Sequence, residues 1–106
     1  MTALKIDPDG TMQAVEITGE TIEQQNDCID AHLDGYFGIV RISDDAAMLV
    51  DDDGLLKAKP INPVAMMLAN YPMLVGVALI VGLEDTPDGE IFTDCPDRFL
   101  KIAALK

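Results

Sequence analysis

Tryptophan is missing from this sequence, aromatic residues make up 5% of it, and there is a single histidine. The core must therefore be built from Ile, Leu, Val, Met and Ala. Cysteine is scarce too. Cys28 and Cys95 stand alone with no Cys-x-x-Cys spacing, which fits two plain thiols in a reducing cytoplasm; a disulfide between them is the less favoured reading. No basic, apolar N-terminal segment and no long apolar span is present, so neither a signal peptide nor a membrane helix is expected, and the expected location is cytoplasmic. Cations are few: 7 Lys and Arg against 19 Asp and Glu give a net charge of −12. That balance argues against direct binding of DNA or RNA, whose phosphates need Lys and Arg. It favours solubility and steers the protein toward basic surfaces.

Catalytic and cofactor motifs are missing as well. Neither Gly-x-x-x-x-Gly-Lys-Ser/Thr nor Gly-x-Gly-x-x-Gly occurs, so the glycines read as strand bulges or close packing rather than a phosphate cradle. His32 as a base would need a positioned nucleophile, and no motif supplies one; its ordinary place is the edge of a helix's buried face. Asp44, Asp45, Asp51, Asp52 and Asp53 invite a divalent-cation reading. A calcium loop, however, needs acids at alternating positions before its glycine. Counting back from Gly10 or Gly54, the first ligand position holds Lys5 or Leu49. Solvated turns are the plainer reading. No metal, no cofactor and no enzymatic activity are expected.

What is there suits one α+β domain. The 106 residues are 49% apolar and 25% charged, enough for a core that folds unaided. Residues 3–6 and 12–17 alternate apolar and polar and read as two strands joined by Asp7-Pro8-Asp9-Gly10. Thr21 followed by Gln24 is a capping-box pattern. It predicts a helix over 22–33 with Ile22, Ile29 and Leu33 on one face, Cys28 beside them, and Gly35 as a left-handed stop. Residues 36–42 are strand-like, Ser43-Asp44-Asp45 is a turn, and Asp53-Gly54 suits a tight hairpin between strands at 46–50 and 55–59. Asn62-Pro63 opens a short helix as cap and first residue. Val64, Met67, Leu68 and Tyr71 form its apolar face and Pro72 its end. Residues 74–83 are apolar apart from Gly76 and Gly82, as in a central strand buried on both faces. Residues 84–90 read as an acidic loop, 91–93 as a short strand, and 97–105 as a last helix. That helix follows Pro96, with Asp94 or Cys95 as cap and Lys101 and Lys106 toward its negative end. The sum is a single compact domain, an antiparallel or mixed sheet with two to three helices packed mainly on one face.

The order Asp53-Gly54, Leu55-Leu56-Lys57, Pro60-Ile61-Asn62-Pro63, helix, then an apolar strand with glycines resembles a family of small domains of unknown function found in actinobacteria and their phages and plasmids. The opening Leu4-Lys5-Ile6-Asp7-Pro8-Asp9-Gly10-Thr11 resembles that family's start. The resemblance implies a phage or mobile-element context and brings no established activity.

The charge is unevenly placed. Residues 16–53 carry eleven acids against Arg41 alone, 84–97 carry six acids and no base, and 54–83 carry only Lys57 and Lys59. The expectation is an accessory protein that binds a protein partner, basic or nucleic-acid-binding. The acids of Asp44, Asp45, Asp51, Asp52, Asp53, Glu84, Asp85 and Asp88 would give electrostatic complementarity, including carboxylates standing where phosphates sit in a basic groove. Met66 and Met73 are the candidates for an exposed apolar contact. The alternative is a nucleotide-like small ligand held by Arg41, Lys57, Lys59 and the helix start at Asn62. A free sheet edge beside an apolar helix leaves a homodimer open.

Overall fold

Period-2 alternation along the strands decides the architecture. The computed structural model describes residues 1–104. In chain order it holds β1 (Thr2–Ile6), β2 (Met12–Glu16), α1 (Ile22–Leu33), β3 (Phe37–Ser43), β4 (Ala46–Asp51), α2 (Pro63–Ala69), β5 (Ala78–Thr86), β6 (Gly89–Thr93) and α3 (Asp97–Ala104). The six strands form one sheet in the order β2-β1-β5-β4-β3, with β6 paired to β5. Every pairing is antiparallel. The expected α+β class is what the chain adopts.

Successive side chains of a strand point to opposite faces, and the core divides accordingly. Leu4, Ile6, Ala46, Met48, Ala78 and Ile80 face one way and meet Ala65 of α2 and Phe99 of α3. Ala3, Ala47, Leu49, Leu79 and Val81 face the other way and meet Ile29 and Leu33 of α1. Two of the three helices thus share a face and α1 covers the other. The central β5 lies between β1 and β4 and is fully buried from Ala78 to Val81, as its continuous apolar run implies.

Local signals placed the helix starts. Thr21 Oγ1 accepts from the Gln24 N–H at 3.1 Å, and Gln24 reaches back to the Glu20 N–H at 2.8 Å. Asn62 accepts from the Ala65 N–H at 3.1 Å, with Pro63 at the first helical position.

Several expectations are corrected. Residues 55–59 form no strand. The chain after β4 coils through consecutive turns, with Gly54 N–H donating to Asp51 O, Lys57 to Asp53 O and Lys59 to Gly54 O. The cause is the Asp51 carboxylate, which draws both lysines back toward β4. The left-handed residue after α1 is Asp34 (φ 54°), not Gly35. Gly35 is needed for space, since a Cβ there would lie 2.5 Å from the Asp51 carboxyl group. Ile22 is exposed rather than on α1's buried face. In α2 Ala65 is the fully buried residue, the expected Val64 and Leu68 pack half-buried against the core, and Met67 is 73% exposed. The fully buried Asn62 sets that rotation, because the residue three positions after the cap follows it toward the sheet. The stop is Asn70 in the left-handed region, before Pro72 is reached. Residues 84–90 are not a loop but the tip of the β5–β6 hairpin. Asp94 accepts from the Thr2 N–H at 2.8 Å and the Cys95 thiol turns to Pro96 O, so neither side chain caps α3. Leu105 and Lys106 lie outside the described residues.

Candidate functional site

Asp51 is the last residue of β4, and its side chain is 2% exposed. Its carboxylate accepts from Lys59 Nζ at 2.7 Å, Lys57 Nζ at 2.9 Å and the Asp53 N–H at 3.0 Å. The same lysines bond the last carbonyls of α1: Lys59 reaches Leu33 O at 2.7 Å and Asp34 O at 3.1 Å, and Lys57 reaches Asp34 O at 3.0 Å. Cations at a helix C-terminus oppose its negative end. Burial acts to raise the Asp51 pKa, but the hydrogen bonds from Lys59 and Lys57 outweigh it and bring it to about 2. Lys57 is raised by its bond to Asp51. Asp51 is therefore an internal anchor tying the turn, β4 and α1 together, and it leaves the expected acidic surface.

Of the residues expected for a nucleotide-like ligand, Lys57 and Lys59 do meet, but each of the four is engaged by other groups of the protein. Lys57 and Lys59 are engaged by Asp51. Arg41 pairs with Glu90 of β6 and also donates to Ser43 O at 3.3 Å; the Glu90 hydrogen bond and charge hold its pKa up. Asn62 is fully buried, donating to Ile6 O at 3.0 Å and Gly76 O at 2.9 Å.

The other acidic residues lie at the surface. Asp44, Asp52, Asp53, Glu84, Asp85 and Asp88 are exposed, and among the described residues none forms an ion pair. Asp45 is exposed but accepts from both guanidinium nitrogens of Arg98, at 2.6 and 2.7 Å, and from Ser43 Oγ at 2.8 Å. Those bonds, the one from Arg98 foremost, hold its carboxyl well below the usual carboxylate range. Met73 is exposed, as expected. Met66 packs half-buried against the core, the correction that follows from the rotation of α2.

His32 is half-buried with Nδ1 3.4 Å from Lys5 Nζ. Burial and then the Lys5 charge lower its pKa. Both cysteines are free thiols, and burial pushes Cys95 up to about 11, far from a reactive thiolate. Among the described residues no three His, Cys, Asp or Glu side chains converge as metal ligands would. No helix among them is long and apolar enough to cross a membrane.

The surface that sequence reasoning missed lies along β3, the sheet's terminal strand. On the α1 side, the β5–β6 hairpin folds over it: Phe92 meets Phe37 edge-on with ring centroids 5.8 Å apart, and Glu90 meets Arg41. Between α1, β3 and β6 lies an open groove of about 420 Å³, lined by Ile22, Phe37, Ile39, Ile91 and Phe92 among others, with Gln25, Asn26 and Glu90 at its rim. On the α2 side a second hollow of about 200 Å³ runs from Val40 to Leu55, Tyr71 and Met73, with Asp52 at its border. Ile39 lines both. The one signal in the sequence was Ile22, an isolated apolar residue in an otherwise polar helix turn.

A family model described as a domain of unknown function (DUF3846) matches residues 1–104, and the chain belongs to that family. Comparison with curated proteins and with solved structures gives no match.

Proposed function

Starting from membership of a family without an assigned activity, we propose that this chain is a non-enzymatic binding domain whose partner is a basic protein. The observation that supports this reading is the charge left over once internal pairs are drawn. Arg41, Lys57, Lys59 and Arg98 are engaged by Glu90, Asp51 and Asp45. Among the described residues, the turn at Asp52 and Asp53 and the hairpin at Glu84, Asp85 and Asp88 have no cation within ion-pair distance. A surplus of one sign, unpaired among the described residues, speeds encounter with a surface of the other sign. In the finer form of the proposal the chain is a phage or mobile-element accessory protein, and these carboxylates occupy the phosphate-binding groove of a nucleic-acid-binding host or defence protein, inhibiting it. A nucleotide-sequestering reading has less behind it, because the four residues it draws on are each engaged elsewhere.

The test is a tagged pull-down from host lysate at low and high salt, with mass spectrometry. It compares the wild type with Asp52→Lys/Asp53→Lys and Asp85→Lys/Asp88→Lys. Asp51 is left alone because reversing it would damage the fold. A basic protein held by the wild type at low salt, released at high salt and lost by a folded reversal variant supports the reading. Its release by short duplex DNA supports the mimic. Retention by both variants at both salts overturns it.

A further inference from the structure

An antiparallel pair alternates residues whose main-chain groups face the partner strand with residues whose groups face away. The Asp52 N–H donates to Tyr36 O at 2.9 Å, which makes Tyr36 an inward residue in the β3–β4 register. Gly38 and Val40 follow it inward. Phe37, Ile39 and Arg41 therefore turn their N–H and C=O groups to the free edge. The first of these donors is already taken, since Phe37 N–H donates to Asp30 Oδ1 at 3.0 Å. Ile39 and Arg41 present the open part of the edge, which ends at the register shift between Arg41 and Ser43.

Edge strands of monomeric proteins are ordinarily guarded by outward charges, proline or a cover. β3 has one charged residue, Arg41, and it is folded onto Glu90. Ile39 is 58% exposed and lines both the larger, mainly apolar groove and the smaller hollow. Ile22 and Ile91 are exposed on one side of it, and Leu55, Tyr71 and Met73 on the other. Acids stand at both ends. Asp52 Oδ1 lies 2.7 Å from where a Cβ of Gly38 would be, and Asp44, Asp85 and Glu90 all act on the Arg41 charge.

We infer that β3 is a strand-addition site for an extended segment of a partner protein that alternates apolar residues and carries Lys or Arg at its ends. The inference rests on the reading of the chain as a binder of basic proteins and says where and how it binds. Residues directly opposite Ile39 and Arg41 donate their N–H groups to β3 and place their side chains on the same face, in the larger groove; the intervening residues point to the smaller hollow. Lysines beyond the ends meet Asp52 at one end and Asp44 and Asp85 at the other. A second copy of this chain fits poorly, because it brings a further −12 to the same edge.

The probe is a fluorescein-labelled, end-blocked peptide, Lys-Lys-Ile-Thr-Val-Thr-Ile-Lys-Lys, titrated with the full chain and read by anisotropy. N-methylation of its Ile and Val residues removes the donors facing β3 and is expected to weaken binding at least tenfold. N-methylation of its Thr residues, equal in charge, leaves affinity within about twofold. Ile39→Lys, a surface change that circular dichroism will report as folded, is expected to weaken binding at least tenfold. Amide exchange at Ile39 and Arg41 is expected to slow when the peptide is bound. Equal binding of all three peptides overturns strand addition while leaving the charge reading to its own pull-down. No binding at about 1 mM peptide, an affinity worth only about 4 kcal/mol, overturns the site. A dimer in sedimentation velocity that Ile39→Lys dissolves also overturns it, since the occupant is then a second copy.

Discussion

At the scale of single residues, Asp51 organises more of the molecule than any other side chain. One carboxylate holds two lysines and a turn amide, and through those lysines it reaches the end of α1. Asp51→Asn keeps the shape and removes the charge. Hydrogen bonds to charged groups contribute about 1.5–3 kcal/mol each, and the half-exposed Lys57 can return to water, so we expect a loss of about 2 kcal/mol in urea unfolding. Unchanged stability would mean that the lysines do not depend on the charge. The pH dependence has a definite sign. Asp51 sits at about 2 in the folded chain, below the ordinary carboxylate value of about 3.9. Its stabilisation is present above that ordinary value and is lost as pH falls toward 2. The wild type should therefore lose Tm faster than Asp51→Asn between about pH 4 and pH 2; parallel curves would contradict this. Gly35→Ala attacks the same centre sterically. Its Cβ meets the carboxyl group at 2.5 Å, and a group held by three bonds cannot swing aside. An overpacking loss of about 1–3 kcal/mol is expected in the same urea assay.

At the scale of elements, Asn62 joins three of them. Its amide caps α2, and its two N–H bonds fix the end of β1 at Ile6 and the bend at Gly76 before β5. Asn62→Ala removes the cap, worth about 1 kcal/mol, and strands two buried carbonyls at about 1 kcal/mol or more each. We expect about 3 kcal/mol in all, measured as a shifted urea midpoint with unchanged slope; a loss below about 1 kcal/mol would show that water replaces the amide. That cap was legible because a capping residue and the proline after it are a local signal, as were Thr21–Gln24 and the apolar run of β5. The rotation of α2 was not legible. It depends on where Asn62 points, which β1 and Gly76 decide from outside the helix. The loss of the expected strand at 55–59 has a similar origin. Asp53-Gly54 is a sound hairpin signal locally, but the pull of Asp51 on Lys57 and Lys59 overrides it, and only the β3–β4 pairing buries Asp51. The acidic turns at Asp52 and Asp85 were legible from charge alone. The groove along β3 was not, because Ile22, Ile39 and Ile91 come from three separate elements and meet only when the β5–β6 hairpin folds over.

At the scale of the whole molecule, the governing quantity is the charge of −12. Each internal pair consumes one of the few cations, so the remaining carboxylates repel one another across a small body whose Cα radius of gyration is 12.9 Å. That radius is close to the screening length of about 10 Å at 0.1 M salt and well inside the length of about 30 Å at 0.01 M. The fold should then be least stable in dilute buffer. Tm is expected to rise as sodium chloride goes from about 0.01 M to about 0.1 M, because screening relieves the repulsion faster than it weakens the anchored pair at Asp51. Asp52→Lys/Asp85→Lys relieves the same repulsion directly, so its Tm in dilute buffer should exceed the wild type's and respond less to salt. A flat or falling wild-type curve would mean that the acids are already balanced within the molecule. It would also remove the ground for expecting a basic partner, because the repulsion that strains the isolated fold is the same potential that a cationic segment along β3 would neutralise.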